Sequence, residues 1–457
     1  MSRFSSAISY QIPRSSIQSI RNLLKQRSFI VVVALLLTGL GAALTGVLFK
    51  AGIHSVEHYR IDLLKQFPRW VVLPLLGGLG GLISGTLIKE IAPAAGGSGI
   101  SQIMAYLRHR DVPMGLKVGL VKLTAGIVAI GSGFPLGPEG PAVQMGGSVA
   151  WQMAKWLKAP IAFRRVIVAA GGGAGIAAIF NAPIGGFIYA IEELLNSAKP
   201  VVLLLVVITT FSADSWADIL QAIGIDQTAG GFINNLGFQL ERQYITNIQF
   251  IPIDVLYLVI LGIFIGIAAE LYCQYVLKMQ IKGNEWFKSK LRLRMSISGV
   301  ILGIMYSCLP EKFHNIENLQ NIIVSQNSDI KTAISIFIVL FLASGLAAAS
   351  GAPGGLFYPM LTLGGSLGLA NGIFLNNLTG HIPTTFIFAG MGGFVAACSR
   401  TPLTAMFLAF ALTKDLLILK PLLITCITSF LVARIFNQHS IYHRQIAIEL
   451  EKGEIIK

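Results

Sequence analysis

The stretch GSGFPLGPEGPAVQMGG (131–147) decides how the chain folds, because it reappears with altered side chains 218 residues later. Its counterpart, ASGAPGGLFYPMLTLGG (349–365), keeps one serine, two prolines and four glycines in register. A second pair of segments, 170–193 and 389–412, matches at an offset of 219. Composition alone gives some matches in a chain rich in Gly and Ala, but it does not account for two nearly equal offsets. We therefore predict two structural halves, about 29–222 and 250–436.

The composition is that of a membrane protein. Hydrophobic residues make up 54% of the 457 residues and charged residues only 12%, about half of the usual share in a soluble domain. Apolar runs such as 29–49 and 255–269 are long enough, or nearly so, to cross a bilayer. The first run follows a basic lead without a small-residue cleavage site, so we interpret it as a retained span and not as a signal peptide. The predicted fold class is all-α and polytopic.

The charges predict the orientation of the chain. The net charge is +14, and the basic residues lie in short loops between apolar runs, which argues against nucleic acid as a partner. The positive-inside rule places these loops in the cytoplasm. We predict a cytoplasmic basic segment at 1–28, a transmembrane transport domain at 29–436 and a cytoplasmic tail at 437–457. The polar stretches 223–250 and 309–331 contain few Lys or Arg residues and are expected to face outward.

The sequence contains no pattern that indicates an enzyme, a metal site or a cofactor. The four cysteines are scattered without a CxxC pair, and the seven histidines form no HxxxH or HExxH arrangement. No GxSxG or paired intramembrane aspartate is present, which leaves an intramembrane enzyme as a remote alternative. The segment GGGAGIAA (171–178) resembles a nucleotide-binding loop only loosely, and we interpret it as a site of tight helix packing.

Glycine and proline interrupt many of the apolar segments. Broken backbone at membrane depth is tolerated where protein or a water-filled cavity satisfies it, so we expect half-helices that meet in the interior. The first N–H groups of such a helix, with the positive end of its dipole, form an anion site without a Lys or Arg side chain. We expect such helix starts at Gly97, Gly99, Gly137, Gly140, Pro141, Gly355 and Pro359.

Glu139 is the one acid within the stretch 131–147. An ionisable residue inside a membrane is a functional hypothesis by default. Its carboxylate is expected to occupy the anion site, to compete with a transported anion, and to leave when protonated. The alternative is that Glu139 only caps its own helix by accepting hydrogen bonds from the next amides. Farther along, Glu192 and Glu193 are adjacent and point about 100° apart on a helix, so one of them is expected to face inward.

Several motifs, in order along the chain, resemble those of the CLC family of chloride channels and chloride/proton antiporters. GSGIS (97–101) resembles the family's GSGIP, GPEGP (137–141) resembles G(K/R)EGP, and GLFYP (355–359) resembles GxFxP. FNAPIGGFIYAIEE (180–193) and SRTPLTAMFL (399–408) also resemble family segments. The resemblance covers nearly the whole chain, from about residue 30 to SIYH (440–443).

The resemblance implies a dimer, inverted repeat halves, and one anion pathway in each subunit. It assigns Glu139 as the external gate and proton acceptor, and Glu193 as the internal proton-transfer residue. Channels of the family commonly carry valine at the position of Glu193, so the glutamate favours antiport. The residues implied as chloride ligands are the hydroxyls of Ser98 and Tyr442 and the backbone amides of Leu356 and Phe357. The C-terminal helix is expected to close the inner anion pathway.

Three residues depart from the family pattern. Pro138 replaces a basic residue, which removes a positive charge near the outer anion site. Ser101 replaces a proline and is expected to loosen the start of its helix. Tyr358 replaces a smaller residue and is expected to narrow the outer pathway. The chain stops soon after Tyr442, which predicts that large regulatory domains are absent and that the origin is prokaryotic or organellar.

The predicted function is secondary active exchange of chloride for protons, with Glu139 as a protonatable gate. Ser98 with Tyr442 favours chloride over nitrate or fluoride, although bromide and nitrate are possible further substrates. The expected location is a prokaryotic inner membrane, in contact with lipid, as a homodimer with both termini in the cytoplasm. A passive gated chloride channel of the same fold is the alternative.

Overall fold

A computed structural model shows a protein built from helices. It describes residues 14–223, 252–288, 290–314, 319–320, 322–323, 329–379, 386–413 and 416–451. Within these ranges the extended backbone pairing is limited to an isolated antiparallel bridge between Gly137 and Gly355. The prediction of an all-α fold is therefore confirmed. Residues 1–13 of the basic lead, 224–250 of the first polar stretch, 452–457 of the tail, and parts of 309–331 lie outside the described residues.

Sixteen α-helices are defined within the described ranges. They are α1 (Arg14–Gln66), α2 (Arg69–Ile91), α3 (Ile100–Leu107), α4 (Leu116–Gly131), α5 (Glu139–Trp156), α6 (Ile161–Phe180), α7 (Pro183–Tyr189), α8 (Pro200–Ala222), α9 (Pro252–Phe287), α10 (Leu291–Ser307), α11 (Ile330–Ser350), α12 (Phe357–Thr379), α13 (Phe386–Ser399), α14 (Pro402–Thr413), α15 (Leu419–Phe436) and α16 (Ile441–Glu451). A π-helical turn, Ala190–Leu195, directly follows α7.

The helices repeat in the order that the sequence predicts. Helices α4 to α8 of the first half correspond to α11 to α15 of the second, with α5 and α12 beginning at Glu139 and Phe357. Each half also contains the same close contact between glycines. A methyl group on Gly146 would meet the carbonyl of Gly171, and one on Gly364 would meet the carbonyl of Gly390, which is the equivalent pair. Helices approach this closely only where both surfaces lack side chains.

Two reciprocal contacts relate one half to the other. A methyl group on Gly77 would meet the carbonyl of Gly299, and a methyl group on Gly299 would meet the carbonyl of Gly77. Gly137 and Gly355 likewise exchange two backbone hydrogen bonds. When two equivalent residues make the same contact with each other in both directions, a twofold axis passes between them. The two halves are therefore related by an internal twofold axis, as in an inverted repeat.

Helix lengths vary far more than in a simple bundle of spans. Among the described residues, seven helical stretches are long and apolar enough to cross a membrane. The 36-residue helix α9 is about 54 Å long at 1.5 Å per residue, well over the ~30 Å hydrocarbon core, which a strong tilt accommodates. By contrast, α3 has 8 residues and α7 has 7, too few to cross. Their ends therefore lie inside the protein, as the interrupted apolar segments predict. The outer limits of the two halves stay a prediction.

Candidate functional site

The two repeated loops meet backbone to backbone. The N–H of Gly137 donates to the carbonyl of Gly355 at 2.9 Å, and the N–H of Gly355 donates to the carbonyl of Gly137 at 2.7 Å. Helix α5 begins two residues after the first glycine, and α12 begins two residues after the second. The bridge therefore brings two helix N-termini, each with a positive dipole end, to one point in the interior.

Glu139 connects the two halves through its side chain. Its Oε1 atom accepts a hydrogen bond from the backbone N–H of Phe357 at 2.6 Å. The other carboxyl oxygen has no hydrogen-bond partner among the described residues, and the side chain is fully buried. The carboxyl group thus binds the first amide of the other half's helix. This contact favours the gate over a cap confined to its own helix, and the role of Glu139 stays a prediction.

The glycines beside Glu139 make room for its carboxyl group. A methyl group on Gly355 would collide with Oε1, and a methyl group on Gly137 would collide with Oε2. A methyl group on Gly137 would also lie 2.7 Å from Cβ of Tyr358. Only glycine leaves the space that the carboxyl group fills.

A third segment, 96–99, completes the meeting point. The N–H of Gly97 donates to the carbonyl of Gly351 at 3.0 Å. Gly99 has φ of 94°, a left-handed conformation that favours glycine, and a methyl group there would lie 2.8 Å from the carbonyl oxygen of Gly140. The hydroxyl of Ser98 is buried and has no hydrogen-bond partner among the described residues. The Ser98 hydroxyl can therefore donate a hydrogen bond to a ligand beside the start of α3.

Lys122 of α4 forms hydrogen bonds with the backbone of this third segment. Its Nζ donates to the carbonyls of Ala95 at 3.1 Å and Gly97 at 2.6 Å, and the side chain is fully buried. A buried ammonium group is retained only where such partners satisfy it. By holding the carbonyls, Lys122 fixes the backbone conformation that presents Ser98.

Tyr442, on α16, brings a second hydroxyl to the site. The edge of its ring contacts the ring of Phe357, with centroids 5.8 Å apart, and Phe357 contacts Tyr189 in the same manner at 5.9 Å. The Tyr442 side chain is fully buried. Its hydroxyl, like that of Ser98, has no hydrogen-bond partner among the described residues. Buried hydroxyls usually find partners within the protein, so these two fit a bound ligand that accepts hydrogen bonds.

A buried ion cluster holds α16 in place. Arg444 donates to both carboxyl oxygens of Glu270, at 2.8 and 3.2 Å, and Arg400 donates to the same carboxylate at 2.8 Å. Arg400 also donates to the carbonyls of Ala433 and Asn437 at the end of α15. Glu270 of α9 is therefore bound to residues at the ends of α13 and α15 and to α16. Its partner on α16, Arg444, lies two residues after Tyr442.

The two adjacent acids after α7 have separate partners. Glu192 accepts hydrogen bonds from the N–H of Thr404 at 2.8 Å, its hydroxyl at 2.7 Å and the N–H of Leu403 at 3.2 Å, and so caps α14. Glu193 is 4% exposed and accepts a hydrogen bond from the Ser440 hydroxyl at 3.0 Å. The π-helical turn sets these directions, and Glu193 is the acid that faces inward.

A cavity of about 680 Å³ reaches Ser98 from one side of the protein. Its wall includes Gly97 and Ser98, the two basic residues Lys288 and Arg294, and one acid, Glu449 of α16. Positive charge along such a passage raises the local concentration of anions. Residues of α16, the helix that follows Ser440, also line this cavity.

The comparisons with known proteins place the chain in a family. A family model described as "Voltage gated chloride channel" matches residues 80–434. The chain belongs to this family. It is 31% identical over 439 residues to a protein of Citrobacter koseri named H(+)/Cl(-) exchange transporter ClcA, which covers 92% of this chain and 90% of the relative. A ClcA of Salmonella arizonae is 30% identical over 424 residues.

Solved structures of the chloride channel family have the same fold. A structure described as a slow cyanobacterial Cl-/H+ antiporter superposes with a TM-score of 0.82 at 28% identity, covering 93% of this chain and 98% of that one. A CLC-type fluoride/proton antiporter covers 94% of this chain and 98% of that one, with a TM-score of 0.75 at 16% identity. This second likeness concerns the fold alone.

The structure places the three departures from the chloride channel family pattern around the site. Pro138 lies between Gly137 and Glu139 with helical dihedral angles. Ser101 is buried, and its hydroxyl donates to Gln102 at 3.0 Å and contacts Glu449 of α16 at 3.4 Å. Tyr358 is buried beside the bridge. Their effects on transport stay predictions.

Sequence reasoning brought together most of this site but missed three residues. Ser98 and the start of α12 both lie beside Glu139 and Gly140, while their roles stay predictions. Lys122 was overlooked, although a single lysine within the apolar run GLVKLTAGIVAIG (119–131) is itself an intramembrane charge and a signal of function. Ser440 and His443 were also missed, because nothing local in the sequence connects them to an acid 247 residues away.

Proposed function

We propose that the chain exchanges chloride for protons across a membrane, with Glu139 as the gate. The single observation that carries this proposal is the hydrogen bond from the Phe357 N–H to the Glu139 carboxyl group. That amide is also the one expected to bind chloride. One donor cannot satisfy both anions at the same time, so the carboxylate and chloride compete.

The chloride site is formed by Ser98, Tyr442 and the amides of Leu356 and Phe357. Two hydroxyls without protein partners and the N-terminal amides of α12 supply donors with partial positive charge. Lys122 acts through the backbone, because its Nζ is bound to carbonyls of the segment 95–97. Partial charges bind an anion weakly enough for release, which transport requires. The same donors suit bromide and nitrate.

Protonation of Glu139 releases the gate. A protonated carboxyl group is neutral and no longer binds the α12 amides as an anion, so chloride takes its place. When Glu139 loses the proton again, its carboxylate returns and displaces the anion. One cycle therefore moves a proton and chloride in opposite directions.

Glu193 supplies the proton route from the other side. Tyr189 and Tyr442 each lie within electrostatic range of both Glu139 and Glu193. Both rings contact the ring of Phe357, and the three aromatic side chains form a mainly apolar layer next to the acids. Protons pass between the acids across this layer while chloride uses the cavity next to Ser98.

The basic loops favour a cytoplasmic location for the side of the protein on which the cavity opens. We propose that both termini are cytoplasmic, that the protein lies in a bacterial inner membrane, and that it forms a homodimer with one pathway in each subunit. The bacterial ClcA relatives are consistent with this location.

Purified protein in liposomes with an outward chloride gradient tests the proposal. External pH and chloride are followed together for the wild type and for Glu139→Gln, which keeps the shape but not the charge. The wild type is expected to take up protons against their gradient, and Glu139→Gln to move chloride without protons. Chloride flux in the wild type without proton movement would instead indicate the passive channel.

A further inference from the structure

A serine and a histidine connect Glu193 to the edge of the protein. The Ser440 hydroxyl donates to Glu193 Oε1 at 3.0 Å, and the same hydroxyl lies 2.7 Å from Nδ1 of His443. The His443 side chain is 20% exposed, whereas Glu193 is 4% exposed. His439, at the surface, stacks on His443 with ring centroids 6.1 Å apart. The hydrogen bonds therefore run from a partly exposed ring to a buried carboxyl group.

The single hydrogen of the Ser440 hydroxyl determines which atom donates in each of these contacts. A serine hydroxyl has one hydrogen. When that hydrogen is donated to Glu193, the contact with His443 is satisfied only if Nδ1 carries a hydrogen and donates to the serine oxygen. Nε2 is then the ring nitrogen left to exchange a proton with solution.

We propose that His443 and Ser440 form a relay that carries protons between the cytoplasmic solution and Glu193. This inference rests on the proposed function of Glu193. In the inward step, Nε2 of His443 accepts a proton, Nδ1 gives its proton to the Ser440 oxygen, and Ser440 gives its own hydrogen to the Glu193 carboxylate. Glu193 ends neutral, Ser440 is unchanged, and His443 ends as the neutral tautomer protonated at Nε2. Proton exchange with solution restores the starting tautomer.

Histidine is suited to this position, because one ring nitrogen can accept a proton while the other gives one up. The charged groups nearest the relay are Arg108 at the end of α3, Glu192, and His439. Arg444 and Arg400 point to Glu270 instead and form a separate cluster. The ion-pair contact of His443 among the described residues is with Glu193 itself, with 3.9 Å between Nδ1 and Oε1. The relay therefore leads from solution to the carboxylate that pairs with His443 when the ring is protonated.

Ser440 also has a structural part, which the test must separate from proton transfer. The backbone N–H of His443 contacts the Ser440 oxygen at 3.3 Å, so the hydroxyl caps the start of α16, which carries Tyr442. Ser440→Thr keeps both the cap and the hydroxyl. Ser440→Asn keeps a cap but has no hydroxyl to exchange. His443→Asn keeps a donor near the position of Nδ1 but does not carry a proton through the side chain.

The experiment measures chloride-driven proton uptake in liposomes for these variants. His443→Asn and Ser440→Asn are expected to slow proton uptake about tenfold or more, the scale of a lost proton-transfer group. Ser440→Thr is expected to match the wild type. In the Glu139→Gln background, where chloride moves without protons, His443→Asn is expected to leave the chloride flux unchanged.

Two outcomes would overturn the relay. One is proton uptake in His443→Asn at the wild-type rate. The other is an equal loss of chloride flux in the Glu139→Gln background, which would mean that the substitution disturbs α16 and Tyr442. Failure of the underlying function looks different, since the wild type would then move no protons, or Glu193→Gln would move them as the wild type does.

Discussion

The first half of the chain places an ionisable side chain at three buried positions where the second half places an apolar one. Glu139 corresponds to Phe357, Lys122 to Leu340, and Glu193 to Leu412. All six side chains are buried. The backbone around them is shared, since Gly137 pairs with Gly355 and both helices begin two residues later.

This difference separates two tasks. At these positions the first half carries the ionisable groups, whereas the second half supplies the N-terminal amides of α12 and the ring of Phe357. A site in which both halves carried an acid would place two like charges next to one another and disfavour both. Replacing residues of the first half by their counterparts therefore tests whether the division of tasks is real.

The largest effect is expected from Glu193→Leu, which introduces the residue of the second half. Proton uptake driven by chloride should stop, because leucine carries no proton. Chloride should still move, since Glu193 has no contact with Ser98 or the α12 amides. Liposome flux assays with pH and chloride electrodes measure both. Proton uptake that survives in this variant would show that the acid of the first half has no special task.

Gly355→Ala tests the shared backbone and ranks next. Its methyl group would collide with the Glu139 carboxyl group and would approach the backbone N of Gly140 to 2.7 Å. We expect exchange to slow about tenfold or more, because displacements of this size at a reacting centre cost on that scale. Gly372→Ala, where the nearest atom is 3.8 Å away, is the matched control and should exchange normally. Equal rates in the two variants would contradict the geometry.

Lys122→Leu is expected to have a moderate effect on both stability and chloride affinity. The carbonyls of Ala95 and Gly97 lose a buried donor, at about 1–3 kcal/mol for each unsatisfied group. Chloride should bind about tenfold more weakly, a loss of about 1.4 kcal/mol, because the released carbonyls no longer fix the backbone that presents Ser98. Thermal unfolding in detergent and calorimetric chloride titration measure these. Leu340→Met, a conservative change at the counterpart, should leave the affinity unchanged.

The smallest effect is expected from Glu192→Ala, again the residue of the second half. Glu192 caps α14 through Leu403 and Thr404, so its loss should lower the free energy of unfolding by about 1–2 kcal/mol. Coupling should stay intact, because this carboxyl group binds Leu403 and Thr404, whereas Ser440 binds Glu193. A loss of proton uptake, with stability unchanged, would reverse the roles assigned to the two neighbouring acids.

How far the sequence predicts this site depends on whether a contact is local or repeated. The repeat, the broken helices and the position of Glu139 follow from Gly and Pro spacing, because backbone geometry depends on those residues directly. The choice between Glu192 and Glu193 does not follow, since it depends on a π-helical turn that no residue pattern in 190–195 marks. The contact of Ser440 with Glu193 joins two distant segments, and only the packing of α16 brings them together.

The most direct test of the central claim measures chloride binding as a function of pH. Calorimetric titration of the wild type and Glu139→Gln at about pH 4 and about pH 8 compares a mostly protonated gate with a charged gate. If the carboxylate competes with chloride for the Phe357 amide, wild-type affinity falls as pH rises, while Glu139→Gln binds more tightly at high pH and with little pH dependence. If both proteins lose affinity equally as pH rises, Glu139 does not compete for the site.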